Sequence, residues 1–325
     1  MDEEDERLVI AVFDGADEDI MYLDLQFLNI KVYRLGTQPF TDYINSFIGR
    51  LGTNFFHSWQ HKQPGGYKEN LYAFCPIDVT KPVSTETFHY LKEILLIMFP
   101  SDFQLIGLAY FDKEEDGKYN ESFASQWHFI SQWRLRESYE PDLLTFNPTD
   151  IKKANAFIKL YFQRKEFLTD FEVVIDSYIE AFTQPSAKMA YINYCIALEA
   201  IVRAENEITF RISRACAVIN SHSKSTGETI FQNTRNFYTL RSKIVHGAQP
   251  NFIPEYFFNL RAQVSRTIIE IITFNLPNRK ELEKCIDSNG YGQKDVFVEN
   301  YVHQDFNKPV IELMLQPVPK YKDKK

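Results

Sequence analysis

The apolar pattern of this 325-residue chain changes period close to Asn147, and that change limits the fold more than any single motif. Before it, short apolar runs are broken by turn pairs. After it, apolar residues recur every three or four positions to about residue 285. The first part predicts strands over 8–13, 20–25, 29–35, 71–74, 103–111 and 123–135. In the last of these, Trp127, Phe129, Ser131, Trp133 and Leu135 alternate onto one face. Helical spacing over 40–57 puts Phe40, Tyr43, Ile44, Phe47 and Ile48 on one stripe. A second helix starts at Ser84 as N-cap and carries Phe88, Leu91, Leu95 and Met98 until Pro100. Loops fall at Asp14-Gly15, 63–66 and Asp116-Gly117. The aromatic wealth of this part reads first as core.

A proline cluster, 139–142 and 147–150, marks the boundary, with Asn147 as N-cap and Pro148 at the first helical position. Helices are predicted over 148–165, 168–182, 187–204, 208–220, 228–246, 254–274 and 278–286. No repeat of fixed period is visible, which argues against a solenoid. The predicted fold class is therefore an α+β N-terminal domain over 1–147 and an all-α domain over 148–287. A tail over 288–325 is expected to carry two short strands, at 296–302 and 310–315.

Charge divides along the same line. Residues 1–147 hold 12 Lys and Arg against 24 Asp and Glu, whereas 148–287 hold 18 against 15. An acidic first domain is a poor binder of phosphate backbones. A regulatory or partner-binding role, meeting a protein partner or a trigger, is expected for it. The acidic N-terminus is the reverse of a signal peptide. The longest apolar runs fall far short of the ~20 residues that cross a bilayer. Cys75, Cys195, Cys216 and Cys285 form no Cys-x-x-Cys pair, so buried thiols in a reducing cytoplasm are expected. Neither clustered Cys/His metal ligands nor a glycine-rich phosphate loop appears, so no metal and no cofactor are expected.

One constellation carries chemistry: Leu240-Arg-Ser-Lys-Ile-Val-His-Gly247. Gly247 followed by Pro250 is a helix stop, which places His246 in or just past the last turn. The free carbonyls there favour a cationic imidazole. Arg241 supplies a planar, permanently charged guanidinium suited to phosphate. Arg plus His is the chemistry of metal-free RNA cleavage, with the imidazole moving a proton and the guanidinium stabilising charge on phosphorus. Five residues apart, however, the two lie ~140° around a regular helix. They converge only if the helix ends at the histidine or if a second chain completes the site.

This segment resembles the ribonuclease motif of HEPN domains, helical bundles of bacterial toxin and phage-defence proteins, and in particular the Apea-like HEPN branch. The resemblance covers roughly 148–285. It also draws on Tyr194-Cys-Ile-Ala-Leu-Glu-Ala-Ile201, on Ile208-Thr-Phe-Arg-Ile-Ser-Arg-Ala215 and on Tyr238 shortly before the motif. Ser242 stands where catalytic members of the family often carry Asn, Asp or His. The resemblance implies a HEPN-like bundle and a homodimer through the helical domain, in which two motifs line one cleft. It also implies a metal-independent endoribonuclease in an anti-phage defence or toxin setting, in which the RNA 2′-hydroxyl attacks the adjacent phosphodiester. Arg241 and His246 would be catalytic, with Tyr238 and Ser242 in support. The alternative is a catalytically inactive HEPN module that binds RNA or docks a protein.

Glu199 shares a stripe with Ile192, Cys195 and Val202, which turns its carboxylate toward the bundle interior. Such a group needs a cation, and Arg241, Arg214 or Arg211 can supply it. It either holds Arg241 for catalysis or forms a purely structural pair. Segment 203–266 holds nine cations against four acids, and Arg211, Arg214 and Lys243 are the RNA-binding candidates within it. The remaining histidines show no partner pattern.

Overall fold

The computed structural model describes residues 7–48, 50–61, 70–115, 117–121, 126–127, 143–184, 186–202, 206–247, 254–293 and 307–320. By their contacts these residues divide into a sheet unit ending at Ala156 and a helical unit beginning at Phe157, with Ile97–Pro100 assigned to the second.

The sheet unit is built on β1 (Leu8–Asp14), in which every residue is buried. Apolar on both faces, β1 belongs in the middle of a sheet. It pairs antiparallel with β3 (Tyr72–Pro76) on one side and β4 (Gln104–Lys113) on the other. β2 (Ile30–Arg34) extends the sheet beyond β3, while β5 (Tyr119–Glu121) and β6 (Gln126–Trp127) both pair with β4. Among the described residues the sheet is wholly antiparallel, with the order β2-β3-β1-β4-β5. Leu8, Ile10 and Val12 point to one face and pack there with Phe40 and Ile44 of α1 (Gln38–Asn45) and with Phe56 and Trp59 of α2 (Arg50–His61). On the opposite face Phe13 lies between Phe74 and Phe103 at centroid distances of 4.5 and 5.0 Å. Gly15 ends β1 at φ +86°, where a side-chain carbon would lie 2.4 Å from the carbonyl oxygen of Asp102. Only glycine fits that turn.

Two sequence expectations change here. Residues 20–25 are not a strand: a 3₁₀ turn spans Glu18–Tyr22, and Asp17 caps it by accepting from the Asp19 N–H. The stripe over 40–57 is two helices, α1 and α2, because the chain turns after Asn45. Ser84 does cap α3 (Thr85–Met98), accepting from Thr87 N–H. The 63–66 loop, the 139–142 linker, the strand at 296–302 and all but two residues of the 123–135 strand lie outside the described residues.

The helical unit follows α4 (Pro148–Gln163), capped by Asn147 through the N–H groups of Thr149 and Asp150. The first half of α4 goes with the sheet unit, where the Asn155 side chain accepts from Asp24 N–H. The single helix expected over 168–182 is a short α5 (Lys165–Leu168), a 3₁₀ turn and α6 (Glu172–Ala181). Then come α7 (Ala187–Val202), α8 (Ile208–Asn220), α9 (Lys224–Val245), α10 (Pro254–Thr273) and α11 (Arg279–Ser288). The tail expectation at 310–315 is corrected: these residues belong to a helix, α12 (Lys308–Leu315). Asn307 at φ +52° and the following Lys308-Pro309 set its start, and Met314 is buried where α12 packs on α10. α7 through α10 pack against one another, with α7 apolar around most of its circumference.

Polar side chains hold this unit at its helix ends. Arg164 donates to the carbonyl of Ile272 in the last turn of α10 and to those of Phe274 and Leu276 just after it. Arg279 donates to Ala200 and Ile201 in the last turn of α7. Inside α10, Arg266 and Glu270 form a fully buried ion pair at 2.5 Å.

Candidate functional site

α9 is the longest helix among the described residues and carries the motif through Val245, with His246 as its C-cap. It opens with a capping box between Ser223 and Thr226 and ends at His246, whose backbone N–H still bonds back to Ser242. Gly247 follows at φ +81°. The histidine thus sits at the helix end, as the Gly247 stop requires.

Two tyrosines fix the register of α9 against α7. Tyr191 donates its hydroxyl to the Phe237 carbonyl, and Tyr238 donates to the Cys195 carbonyl, each at 3.0 Å. Both rings are buried, and burial pushes both phenols well above their ordinary range, so they remain donors. One turn beyond these bonds the register sets Glu199 opposite Arg241, with Nη2 3.2 Å from Oε1. The pair is at the rim: the side chains are 32% and 29% exposed. Glu199 is therefore half-buried, not turned into the interior as its stripe suggested. The Nε of Arg241 is itself buried and has no hydrogen-bond partner among the described residues. Burial raises the Cys195 thiol beneath the pair, and the Glu199 carboxylate adds to the rise.

Ser242 and His246 are exposed, and Lys243 is half-buried. α9 stays helical through Val245, so Arg241 and His246 remain ~140° apart around its axis. Among the described residues no hydrogen bond joins them. One chain therefore brings Glu199, Arg241 and Tyr238 together and leaves His246 on another face. Arg211 is exposed on α8. Arg214 is already engaged: its Nη2 donates to the carbonyls of Asp287 and Asn289 at the end of α11. That Nη2 caps the end of α11. Tyr238, buried and satisfied by α7, supports the site from beneath and does not face it. The reciprocal bond from Tyr191 escaped sequence reasoning because an apolar stripe hides a tyrosine hydroxyl.

Among the described residues no group of three or more His, Cys, Asp or Glu is placed to hold a metal ion. Nor is any helix there long and apolar enough to cross a membrane. No family model, curated protein or solved structure matched the chain.

Proposed function

We propose that the helical unit is a metal-independent endoribonuclease of HEPN type that acts as a homodimer. The observation behind this reading is the rim pair: Glu199 steadies a guanidinium that keeps one edge toward solvent, and an exposed imidazole ends the same helix. In this reading two copies set their α9 ends side by side, so that the imidazole of one chain complements Arg241 of the other. One imidazole takes the proton as the 2′-oxygen attacks phosphorus. The P–O5′ bond breaks, a second imidazole protonates O5′, and a cyclic phosphate and a 5′-hydroxyl result. Arg241 stabilises the charge that builds on the phosphoryl oxygens. The setting, anti-phage defence or a toxin system in the cytoplasm, follows from the HEPN resemblance, and the acidic sheet unit would take the trigger or protein partner.

Arg241→Ala and His246→Ala should each lower RNA cleavage by ~10²–10⁴ without loss of dimer or fold, and EDTA should change nothing. Full activity in both variants removes the enzyme reading. The runner-up, an inactive HEPN module that binds RNA or a protein, is favoured by the separation of Arg241 and His246 within one chain. A wild type that binds RNA and never cuts it would establish that alternative.

A further inference from the structure

Away from the rim pair, α9 carries an exposed stripe that runs from outside the motif into its Ser242 and His246. Phe231, Arg235, Thr239, Ser242 and His246 follow at spacings of four, four, three and four, which places them on one face. Phe231 is half-buried, and the other four are exposed. From Phe231 to His246 the stripe runs ~22 Å along the helix axis.

At the far end Phe231 is the centre of a ring cluster. Phe210 of α8, 53% exposed, meets it edge-on at 5.8 Å. Tyr291, in the turn after α11, meets it at 6.2 Å. The Arg235 guanidinium lies 5.9 Å from the same ring. This cluster is built deliberately into the backbone. Gly227 lies one turn before Phe231, and a side-chain carbon there would lie 2.4 Å from Cβ of Tyr291. A side-chain carbon on Gly292, at φ +80°, would lie 2.7 Å from Cα of Ser223, and Gly292 donates its N–H to the Ser221 hydroxyl. Arg214 holds the same turn through the Asn289 carbonyl. Three unrelated features thus press one tyrosine against the start of α9.

Exposed aromatic rings beside guanidinium groups form a surface on which nucleobases stack and phosphates pair. Arg235 is the exposed cation set against the Phe231 ring, and Arg211 follows Phe210 on α8 and is exposed. Glu228 is the acid next to the rings, close enough to Tyr291 to raise its phenol. We propose that this stripe seats single-stranded RNA, with bases on Phe210, Phe231 and Tyr291 and the backbone led along α9 toward His246. The proposal rests on the ribonuclease reading for its substrate class and adds a selection for unpaired RNA, because a duplex keeps its base faces covered.

The test uses the full chain and a fluorescein-labelled, 2′-O-methylated RNA of about 15 nucleotides, a length within the range that single-strand surfaces cover. The modified RNA cannot be cleaved by 2′-hydroxyl attack, so anisotropy reads binding alone. The single strand should bind at least ~10-fold more tightly than its duplex, and Phe210→Ala and Phe231→Leu should each weaken binding ~10-fold. Phe210 is exposed enough to remove safely, and leucine at 231 keeps the packing volume while deleting the ring. Equal affinities for wild type and both variants, a preference for duplex, or no binding by wild type would each overturn the stripe. Cleavage of unmodified RNA is scored in parallel. Cutting with ring-independent binding sinks the stripe alone, whereas ring-dependent binding without cutting sinks the nuclease reading alone.

Discussion

In the sheet unit, β1 through β4 satisfy one another's peptide groups, and the side chains between sheet and helices are almost all carbon: Ile10, Val12, Phe40, Phe56 and Trp59 among them. The helical unit contains as much apolar packing, yet Asn233, Asn236, Asn259, Gln263, Arg266 and Glu270 are buried within it. For the three asparagines the cause lies in the backbone, whereas Gln263 donates to the Thr234 hydroxyl and Arg266 pairs with Glu270 one turn on. A strand inside a sheet leaves few orphan groups, whereas each helix ends in carbonyls with no partner in the helix. Where those ends are buried, a side chain must meet them, and arginines and asparagines do so here. One core therefore fails by losing volume and the other by losing partners.

The largest expected effect tests the second kind of failure. Glu270→Ala removes a carboxylate 2.5 Å from the buried Arg266 and should cost ~3–5 kcal/mol in a urea melt. Replacing both residues with apolar ones, Arg266→Met with Glu270→Leu, should restore much of that loss. A double variant as unstable as the single would break the contrast. Next, Asn233→Ala should cost ~1–3 kcal/mol, since it strips the carbonyls of Met314 and Gln316 and the N–H of Val318 at once. Hydrogen exchange at Val318 should accelerate with it. In the sheet unit Ile10→Val removes one methylene from a fully buried residue and should cost ~1 kcal/mol with no such local signature. The smallest effect on stability belongs to Glu199→Gln, below ~1 kcal/mol for so exposed a pair, while RNA cleavage falls. A melt shifted as far as that of Glu270→Ala would mean that the rim pair belongs to the core.

Legibility followed the range of the interactions. α8 spans 208–220 as its periodicity and flanking breaks predict, and the Asn147 cap sits where the proline cluster placed it. Those signals are local. The run Val-Ile-Glu-Leu-Met-Leu at 310–315 suits either a strand or a helix, and burial against α10 decided it. Likewise the pattern over 20–25 gave no hint that an aspartate cap would tighten it into a 3₁₀ turn. The pairing of Glu199 with Arg241 was legible as one of three options, because a half-apolar stripe needs its carboxylate matched. The caps made by Arg164, Arg214 and Arg279 were not, since each joins residues 73 to 112 positions apart.

The segment around α12 also imposes an order on the protein's birth. Asn233, Asn236 and Asn259 bond to carbonyls between Leu313 and Val318, and for Asn233 and Asn236 the separation is 81 to 83 residues. At about 5–20 residues per second, a ribosome needs roughly 4–16 s to cover that stretch. For those seconds α9 exists with its polar face made and its partners unwritten. A nascent chain stalled there presents a helix that water, a chaperone or another chain must cover, until the segment around α12 emerges and closes it.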